Sequence, residues 1–228
     1  MTDRLLALLG DADGGFDLVR RICELCVTEL AVSGAGMSVM AGSLADGTQV
    51  LVHSTGAAAE RLEDLQLTVG EGPSVDAFVS GGAVLVPDLD AEYDRWPAYA
   101  PGAAGLGVAA VFSFPLQVGA ARLGVLDLYR DTPGPLSVRG LSGALALAEA
   151  GTVALLDDAE AAQGARLLGQ GEPHSVVHQA TGIVTVQLDV SLQEALIRIR
   201  AYAYTHHLSL NEVGGRIVRR ELMLETGE

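Results

Sequence analysis

Lysine is absent from this 228-residue sequence, so all 14 basic residues are arginine, set against 29 acidic residues. The net charge of −15 is the opposite of the basic footprint expected of a nucleic-acid-binding protein. The acidity is uneven: residues 1–175 carry a net charge of −14, whereas residues 176–228, with five arginines and six acidic residues, carry −1. Only the C-terminal part is therefore a candidate for contact with phosphate, and its affinity should be modest.

Cysteine is also scarce, with only Cys23 and Cys26 in the chain. A C-x-x-C pair can bind metal or exchange a disulfide, but metal needs further ligands nearby and a redox motif opens a helix after a strand. Here the pair lies inside a predicted helix over residues 16–31, on an apolar face shared with Phe16, Val19 and Leu30. We predict two buried thiols without a metal or redox role.

Long apolar runs are missing from the sequence. None reaches the roughly 18 residues needed to cross a bilayer. The first ten residues are too short and too acidic at their flank to act as a signal peptide. We therefore expect a cytoplasmic protein with no membrane partner.

Recognisable catalytic and metal-binding patterns are missing as well. His174 and His178 share a helix face, but no Glu or Cys partner follows at a suitable spacing. Residues 70–73 (GEGP) lack the lysine and the further glycine of a phosphate-binding loop, and the acidic residues between 88 and 94 lack EF-hand spacing. We predict no enzymatic activity, no catalytic residue and no metal site.

Residues 1–160 alternate between helical and strand-like patterns. Helices are predicted over residues 16–31, 57–67, 74–79 and 138–156, and strands over residues 37–40, 49–53, 83–87, 109–116 and 122–130. The Asp46-Gly47 dipeptide predicts a hairpin, and residues 88–107 are predicted to form a long loop with one helical turn around Trp96. This order predicts an α+β fold with an antiparallel sheet flanked by helices.

Three segments of this part, residues 70–89, 95–97 and 107–130, resemble the GAF domain. The resemblance implies a sensory domain with a ligand pocket on one face of its sheet and the terminal helices on the other. The residues expected to line the pocket are Trp96, Tyr99, Ala110, Phe112 and Phe114. The alternative is that these aromatic side chains form ordinary core. The cofactor stays open, with a small molecule in this pocket as the candidate.

The C-terminal stretch, residues 176–222, predicts three short helices. Ser191 with Glu194, and Ser209 with Glu212, match capping boxes, in which a serine hydroxyl and a glutamate carboxylate each accept a backbone N–H at the start of a helix. Apolar residues recur at helical spacing behind both caps and in the preceding segment. These stripes predict a bundle with one small shared core.

This stretch resembles the ANTAR domain, a small helical RNA-binding module of bacterial transcription antiterminators. The resemblance rests on residues 179–182 (QATG), 191–195 (SLQEA), 200–203 (RAYA) and 210–218. It implies binding of RNA hairpins. The residues assigned to RNA come partly from the QATG segment of this resemblance and partly from the arginine and aromatic side chains of the later helices, since such side chains contact RNA phosphates and bases. They are Gln179, Thr181, Gly182, Arg198, Arg200, Tyr202, Arg216, Arg219 and Arg220. The sequence departs from the family at Gly214 and Gly215, where an Ala-Arg pair is usual.

These patterns predict a GAF-like sensory domain over residues 1–160, a linker over residues 161–173 and a three-helix ANTAR RNA-binding domain over residues 174–228. The expected function is a signal-responsive, RNA-binding antiterminator. The alternative is a ligand-sensing protein-interaction module whose helical tail binds a partner protein. A homodimer is also predicted, from an apolar stripe at coiled-coil-like spacing. Its members are Leu141, Leu145, Ala148, Thr152 and Leu155.

Overall fold

The computed structural model describes residues 2–10, 15–41, 48–161, 175–206 and 208–225. The described α-helices and strands of the first part are α1 (Thr2–Leu9), α2 (Gly15–Leu30), β1 (Gly34–Ala41), β2 (Thr48–Ser54), α3 (Ala57–Val69), α4 (Pro73–Ser80), β3 (Val84–Val86), α5 (Tyr99–Gly105), β4 (Ala110–Val118), β5 (Ala121–Arg130) and α6 (Val138–Ala161), and a short 3-10 helix, Leu89–Glu92, lies between β3 and α5. Three helices follow: α7 (Ser175–Leu188), α8 (Leu192–Thr205) and α9 (Leu210–Val218). The predicted Asp46-Gly47 turn, residues 162–173 of the predicted linker and His174 lie outside the described residues.

The strands pair in the order β2-β1-β5-β4-β3, and every described pairing is antiparallel. Strands β1 and β5 lie close together at Gly124, where an added Cβ would collide with the carbonyl oxygen of Ser38. Glycine is therefore required at this point of the sheet. The antiparallel sheet and its flanking helices confirm the predicted α+β fold of the first part.

The sheet has two buried faces. One, which we call the α2–α6 face, carries Ala35 and Met37 of β1 and the even-numbered residues of β4 and β5, packed beneath α1, α2 and α6. The other, the α3–α5 face, carries the odd-numbered residues of β4 and β5 beneath α3, α4 and α5. Because strand side chains alternate between faces, these two layers share no side chain. Cys23 and Cys26 are buried within the α2–α6 layer, as predicted.

Helix α6 closes the α2–α6 face. Its segment Val138–Asp157 is long and apolar enough to cross a membrane, but 56% of that segment is buried within the fold, as in the core helix of a folded domain. Ala148, Thr152 and Leu155 of the predicted dimer stripe are buried within the protomer. The assignment of those three residues to a dimer surface is therefore wrong, because their side chains already cover the sheet.

Two helices lie where the sequence patterns did not place them. Helix α5 occupies part of the predicted loop over residues 88–107 and brings the buried Tyr99 onto the α3–α5 face. Helix α1 packs Leu5 and Leu9 into the α2–α6 layer. Both helices are short, so tertiary packing rather than helical periodicity stabilises them.

Helices α7, α8 and α9 pack around one core, as the apolar stripes predicted. Ser209 and Glu212 form the predicted capping box. Ser191 accepts a hydrogen bond from the backbone N–H of Glu194 at 3.1 Å, but the Glu194 carboxylate accepts from Arg198 at 2.7 Å instead of reaching back. The second predicted capping box is therefore only half formed.

Gly214 lies at a close approach between α9 and α7. A Cβ added there would lie 3.3 Å from the carbonyl oxygen of Val176. Glycine inside a helix lowers helix stability, but here its small size lets the two helices approach.

Candidate functional site

The α3–α5 face contains a connected group of buried polar side chains, which we call the polar cluster. Each is at most 4% exposed. The members come from six elements of the first part of the chain: Ser38, Gln49, Glu63, Gln66, Ser74, Ser113 and Asp127. Buried polar groups need hydrogen-bond partners, so the cluster must satisfy itself.

Glu63 of α3 is one acidic centre of the polar cluster. Its Oε2 atom accepts hydrogen bonds from Ser38 Oγ at 2.9 Å and from Gln49 Nε2 at 3.1 Å. Gly36 makes room for it, since a Cβ there would lie 3.0 Å from Glu63 Oε1. Burial, and then the neighbouring Asp127 carboxyl, raise the pKa of Glu63 well above its usual value. The protonated form of Glu63 is therefore favoured more than it is in a solvent-exposed glutamate.

Asp127 of β5 is the second acidic centre. Its carboxylate accepts hydrogen bonds from Ser113 Oγ and, at 2.6 Å, from Ser74 Oγ. Gln66 fixes Ser74 by donating to its hydroxyl and by accepting from its backbone N–H at 2.9 Å. Burial raises the pKa of Asp127, while the two serine hydroxyls and Glu63 oppose that rise. Asp127 is therefore the partner that ionises first in this buried acid pair.

Tyr99 of α5 is buried on the same face of the sheet as the acid pair. The Glu71 carboxylate fixes the start of this helix by accepting from the backbone N–H groups of Ala98 at 2.7 Å and Tyr99 at 3.0 Å. The Tyr99 side chain is wholly buried, and its hydroxyl has no hydrogen-bond partner among the described residues. Burial, and then the charges of Asp127 and Glu63, raise the pKa of Tyr99 well above its usual value.

Comparison with known proteins identifies this domain. The sequence model of the GAF domain matches residues 17–156, more than half of the chain. This chain belongs to the GAF domain family. Its match confirms the GAF-like part of the prediction. Among curated proteins, none matches the sequence.

Solved structures of low sequence identity share the GAF fold. The GAF domain of a phosphoenolpyruvate-protein phosphotransferase from Acinetobacter is 13% identical, with a TM-score of 0.56 over 72% of this chain and 95% of that chain. Free methionine-R-sulfoxide reductase from Neisseria meningitidis is 16% identical, with a TM-score of 0.53 over 70% and 89%. The chromophore-binding domain of a bacteriophytochrome from R. palustris is 12% identical, with a TM-score of 0.52 over 70% and 61%.

The five predicted pocket residues of the GAF domain do not lie together. Trp96 and Tyr99 are on the α3–α5 face, where their rings meet edge to face at 6.1 Å. The other three lie on the opposite α2–α6 face: Ala110, Phe112 and Phe114. The prediction that these three line the same pocket is wrong, because alternation along β4 turns its even-numbered side chains toward α2 and α6.

The polar cluster was not predicted from the sequence. Its strand members carry a usable signal, since Asp127 stands between Leu126 and Leu128 and Ser113 stands between two phenylalanines. A polar residue inside a buried apolar strand needs a partner on its own face. Within the described residues, no group of three or more His, Cys, Asp or Glu could hold a metal ion.

The C-terminal bundle packs against the GAF domain through α3, and Arg200 is central to this contact. The Arg200 Nε atom donates to the carbonyl oxygen of Leu67 at 3.0 Å. Its guanidinium also covers Gly70, where an added Cβ would lie 3.0 Å from Nη1. The Leu67 side chain is buried in the core of the bundle. Arg200, predicted to bind RNA, is thus engaged within the protein.

Two further hydrogen bonds complete the α3 contact. The backbone N–H of Leu210 donates to Thr68 Oγ1 at 3.2 Å, and Asn211 Nδ2 donates to Asp64 Oδ1 at 3.0 Å. Burial, with nearby acidic side chains, raises the pKa of Asp64 to about 6. Beside these bonds lies a mostly apolar cleft of about 470 Å³ between α3, α5 and the bundle.

Three predicted RNA-binding residues lie together on the bundle. Gln179 and Gly182 of α7 and Arg220, just after α9, line a groove of about 850 Å³. The groove also exposes Val186 and Met223, which are 84% and 70% accessible. The groove thus combines polar and basic side chains with exposed apolar ones, and both α7 and the segment after α9 contribute to each kind.

The remaining predicted RNA-binding residues differ in availability. Thr181 is buried and donates its hydroxyl proton to the carbonyl oxygen of Val177 at 2.8 Å. Its assignment to RNA is therefore wrong for this conformation, because α7 already satisfies the hydroxyl. Arg216 is exposed and forms no ion pair within the described chain.

Three others are engaged within the bundle. Arg198 pairs with Glu194, Arg219 pairs with Glu221, and the Tyr202 ring stacks on His206.

Proposed function

We propose that this chain is a signal-responsive RNA-binding regulator of transcription termination, with the GAF domain as sensor and the C-terminal bundle as the RNA-binding part. The observation that carries the proposal is the groove shared by Gln179, Gly182 and Arg220. It joins a segment that resembles the ANTAR domain to an exposed arginine. The protein acts in the cytoplasm, by binding rather than by catalysis.

Exposed arginines supply the phosphate contacts in this proposal. Arg216 and Arg220 form no ion pair with any described residue, so both can neutralise phosphate without first losing an acidic partner. Residues 176–228 are near neutral, whereas the rest of the chain is strongly acidic. RNA affinity should therefore be modest and should fall steeply with salt.

The GAF domain supplies the signal in this proposal. The Neisseria meningitidis reductase of similar fold was solved in complex with its substrate, and the R. palustris domain binds a chromophore. A small molecule on the α3–α5 face is the corresponding signal for this chain. Helix α3 connects that face to the bundle, because it carries Glu63 inward and Leu67 into the bundle core.

The α3 contact gives the signal a route to RNA binding. Arg200 is held against Leu67 and Gly70 while the bundle is docked, so its guanidinium is withheld from phosphate. Displacement of α3 would free Arg200 and add one cation to the RNA surface. In this scheme the docked state binds RNA weakly and the released state binds it more tightly.

Filter binding across a salt series tests the proposal. The full chain should bind a paired-hairpin RNA more tightly than a scrambled RNA of equal length. The R216A/R220A double variant should bind the hairpin RNA more weakly. Its plot of log affinity against log salt concentration should be less steep by about 1.4 to 1.8, the contribution of two phosphate contacts. The matched control is Arg4→Ala, which removes an exposed arginine of α1 far from the groove. Equal binding of both RNAs, or equal loss in the control, would contradict the proposal.

A protein-interaction module is the second candidate function. It is favoured by the apolar residues of the groove, among which Val186 and Met223 are largely exposed. Exposed apolar side chains that form a patch mark protein-binding surfaces. If V186E/M223E abolishes regulation in cells while hairpin affinity is unchanged, this candidate replaces RNA binding.

We also propose that the protein is a homodimer, through an exposed stripe of α6 that keeps one residue of the predicted stripe, Leu145, and adds two others. Leu145, Val153 and Leu156 of this helix are exposed, at 52%, 51% and 38%. Burial of such a stripe against a second copy would stabilise a dimer. Light scattering at micromolar concentration should give twice the chain mass, and L145E/V153E should give a monomer.

A further inference from the structure

We propose that the cleft between α3, α5 and the C-terminal bundle binds a small aromatic monocarboxylate, and that the bound ligand holds the bundle in its docked position. This inference rests on the proposed regulatory function, because it gives the docked state an effector of its own. The site is separate from the α3–α5 face of the sheet, since the cleft shares no residue with the polar cluster.

The cleft has the size and the lining of a small-molecule site. Its volume of about 470 Å³ lies within the range of roughly 300 to 1,000 Å³ that is usual for such sites. Helices α3 and α5 lie close together at Gly102 in its lining, where an added Cβ would be 2.9 Å from Leu65 Cδ2. The larger apolar and aromatic side chains of the lining are Leu65, Val69, Pro101, Leu106, Tyr204 and Leu208.

Tyr204 offers an aromatic surface to a ligand. It lies near the end of α8, borders the cleft and is 55% exposed. Within the described residues, no other ring pairs with it. An aromatic ring packed against Tyr204 would gain both apolar burial and a favourable ring contact. The lining therefore favours a ligand with a planar aromatic body.

Arg61 of α3 offers a positive charge at the same cleft. It is exposed and forms no hydrogen bond or ion pair with any described residue. A carboxylate can accept two parallel hydrogen bonds from a guanidinium group, which makes the pair directional. Among the described residues that line the cleft, Arg61 is the one cation, so a second negative charge on the ligand would lack a partner. The ligand is therefore a monocarboxylate rather than a phosphate or a dicarboxylate.

Asp64 makes the binding of an anion depend on pH. It also lines the cleft, and its Oδ1 atom accepts from Asn211 Nδ2 at 3.0 Å. Burial, and then Glu212 of α9 and Glu60 of α3, raise the pKa of Asp64 to about 6. Apart from these acids and Arg61, the described parts of α5 and α8 add no charged side chain to the cleft. Because ionised Asp64 repels a ligand carboxylate, affinity should be higher below pH 6 than above it.

The cleft requires the docked bundle, because its two sides come from different parts of the chain. Helices α3 and α5 form one side, and Tyr204, Leu208 and Ser209 of the bundle form the other. A ligand that contacts both sides binds the docked state more tightly than the released state, so it stabilises docking. The docked bundle holds Arg200 against Leu67. The ligand should therefore weaken hairpin binding, and RNA should weaken ligand binding by the same factor.

Titration calorimetry on the full chain tests the site, with sodium 1-naphthylacetate as probe and 1-naphthylacetamide, its uncharged analogue, as matched control. The amide should bind about fivefold more weakly than the probe, because it lacks the charge that pairs with Arg61. Probe affinity should fall about threefold from pH 6 to pH 8, and Asp64→Asn should remove this fall. Equal binding of the two compounds would overturn the ligand class, and the absence of probe binding would overturn the site.

Paired variants locate the bound probe. Arg61→Ala should weaken probe binding about fivefold and Arg61→Lys less, while Arg4→Ala, an exposed arginine of α1, should leave it unchanged. Tyr204→Ala should weaken it about five- to tenfold. Its control is Ile197→Ala on the same helix, which is 54% exposed and lies outside the cleft. All four side chains are exposed, so folding should be unaffected, and equal losses within either pair would contradict the site.

Hydrogen exchange measures the effect of the probe on docking. The backbone N–H of Leu210 donates to Thr68 Oγ1 across the α3 contact. Saturating probe should slow exchange of this amide, while amides of α2, on the opposite face of the sheet, should exchange as before. Unchanged exchange at Leu210 in the presence of bound probe would contradict the coupling to docking.

Failure of this site and failure of RNA binding are distinguishable. Probe binding is measured without RNA, and hairpin binding is measured without probe, so either result can be lost alone. When both are present, saturating probe should weaken hairpin binding by the wild type but not by Arg200→Ala, which has no guanidinium at this position to withhold. A probe that binds the wild type yet leaves its hairpin affinity unchanged would contradict the regulatory part of the inference.

Discussion

Arg200 of α8 and Leu67 of α3 are joined by a hydrogen bond of 3.0 Å, from the arginine Nε atom to the leucine carbonyl oxygen, across 133 positions of sequence. The Leu67 carbonyl lies in the last turn of α3, where backbone oxygens lack partners within the helix. Burial lowers the pKa of Arg200, but the guanidinium remains charged at any ordinary pH. The bond thus gives a hydrogen-bond donor to a carbonyl oxygen at the end of α3, and it holds the C-terminal bundle against that helix.

Removing this bond should loosen the bundle. Arg200→Ala is expected to lower the free energy of unfolding by about 1.5 to 3 kcal/mol, the range for a hydrogen bond that involves a charged group. The control is Arg198→Ala on the same helix, whose half-exposed pair with Glu194 should contribute about 0.3 to 0.5 kcal/mol. Urea unfolding followed by circular dichroism measures both. Equal effects would show that the Leu67 bond adds nothing.

The burial of Asp64 at the α3 contact should make stability depend on pH. Burial, then Glu212 and Glu60, raise the pKa of Asp64 to about 6 in the folded protein, whereas an unfolded aspartate titrates near 3.9. The folded state therefore binds the proton more tightly, so stability falls as pH rises from about 4 to about 6. The free energy of unfolding of the Asp64→Asn variant should therefore fall by about 1 to 2 kcal/mol less than that of the wild type over this pH range.

Other buried acids, Glu63 and Asp127 among them, also contribute to the measured curve, so the difference between wild type and variant is the quantity of interest. Parallel curves for the two proteins across pH 4 to 7 would contradict the assignment to Asp64.

The face assignment of β4 predicts which substitutions disturb the core. Ala110→Trp should lower the free energy of unfolding by about 1 to 3 kcal/mol or more, because Ala110 is fully buried beneath α2 and α6. The same change at Ala121, at the exposed start of β5, should be nearly neutral. Thermal unfolding of both variants measures this, and a stable Ala110→Trp protein would refute the assignment.

The two glycines of α9 should respond differently to alanine. Gly215→Ala should raise the free energy of unfolding by about 0.5 to 1 kcal/mol, since the nearest obstacle is the flexible end of Arg219 at 3.0 Å. Gly214→Ala should give no gain, because its Cβ would press on the Val176 backbone at 3.3 Å. Denaturant midpoints of the two variants compare them directly, and equal gains would show that α7 yields to the added methyl.

Periodicity predicted most of the elements of this fold, because long amphipathic helices such as α2 and strands such as β5 carry many apolar residues at regular spacing. Periodicity did not determine which side chains of β4 lie on the α2–α6 face and which lie on the α3–α5 face. In β4 both faces are buried, so Val111 and Phe112 look alike in sequence although they pack on opposite sides.

The polar cluster and the half-formed cap show a second limit. In the sequence, Glu63 looks like a solvent-facing residue of an amphipathic helix. Its burial becomes evident only when its neighbours on the sheet are known. The Glu194 carboxylate has two candidate donors in the sequence, the Ser191 backbone N–H and the Arg198 guanidinium. Only the folded structure shows that it accepts from Arg198. Such contacts depend on residues far apart in sequence, which local patterns do not encode.

Helix α3 also constrains any chimera in which this GAF domain is joined to a different C-terminal module. Its inward side carries Glu63 and Gln66 to the polar cluster, and its outward side offers Asp64, Leu67 and Thr68 to the bundle. A chimera that kept the GAF domain but replaced α7 to α9 would leave Leu67 uncovered and Asp64 without its amide partner. A transplanted output module would therefore need its own apolar pocket and its own arginine for α3.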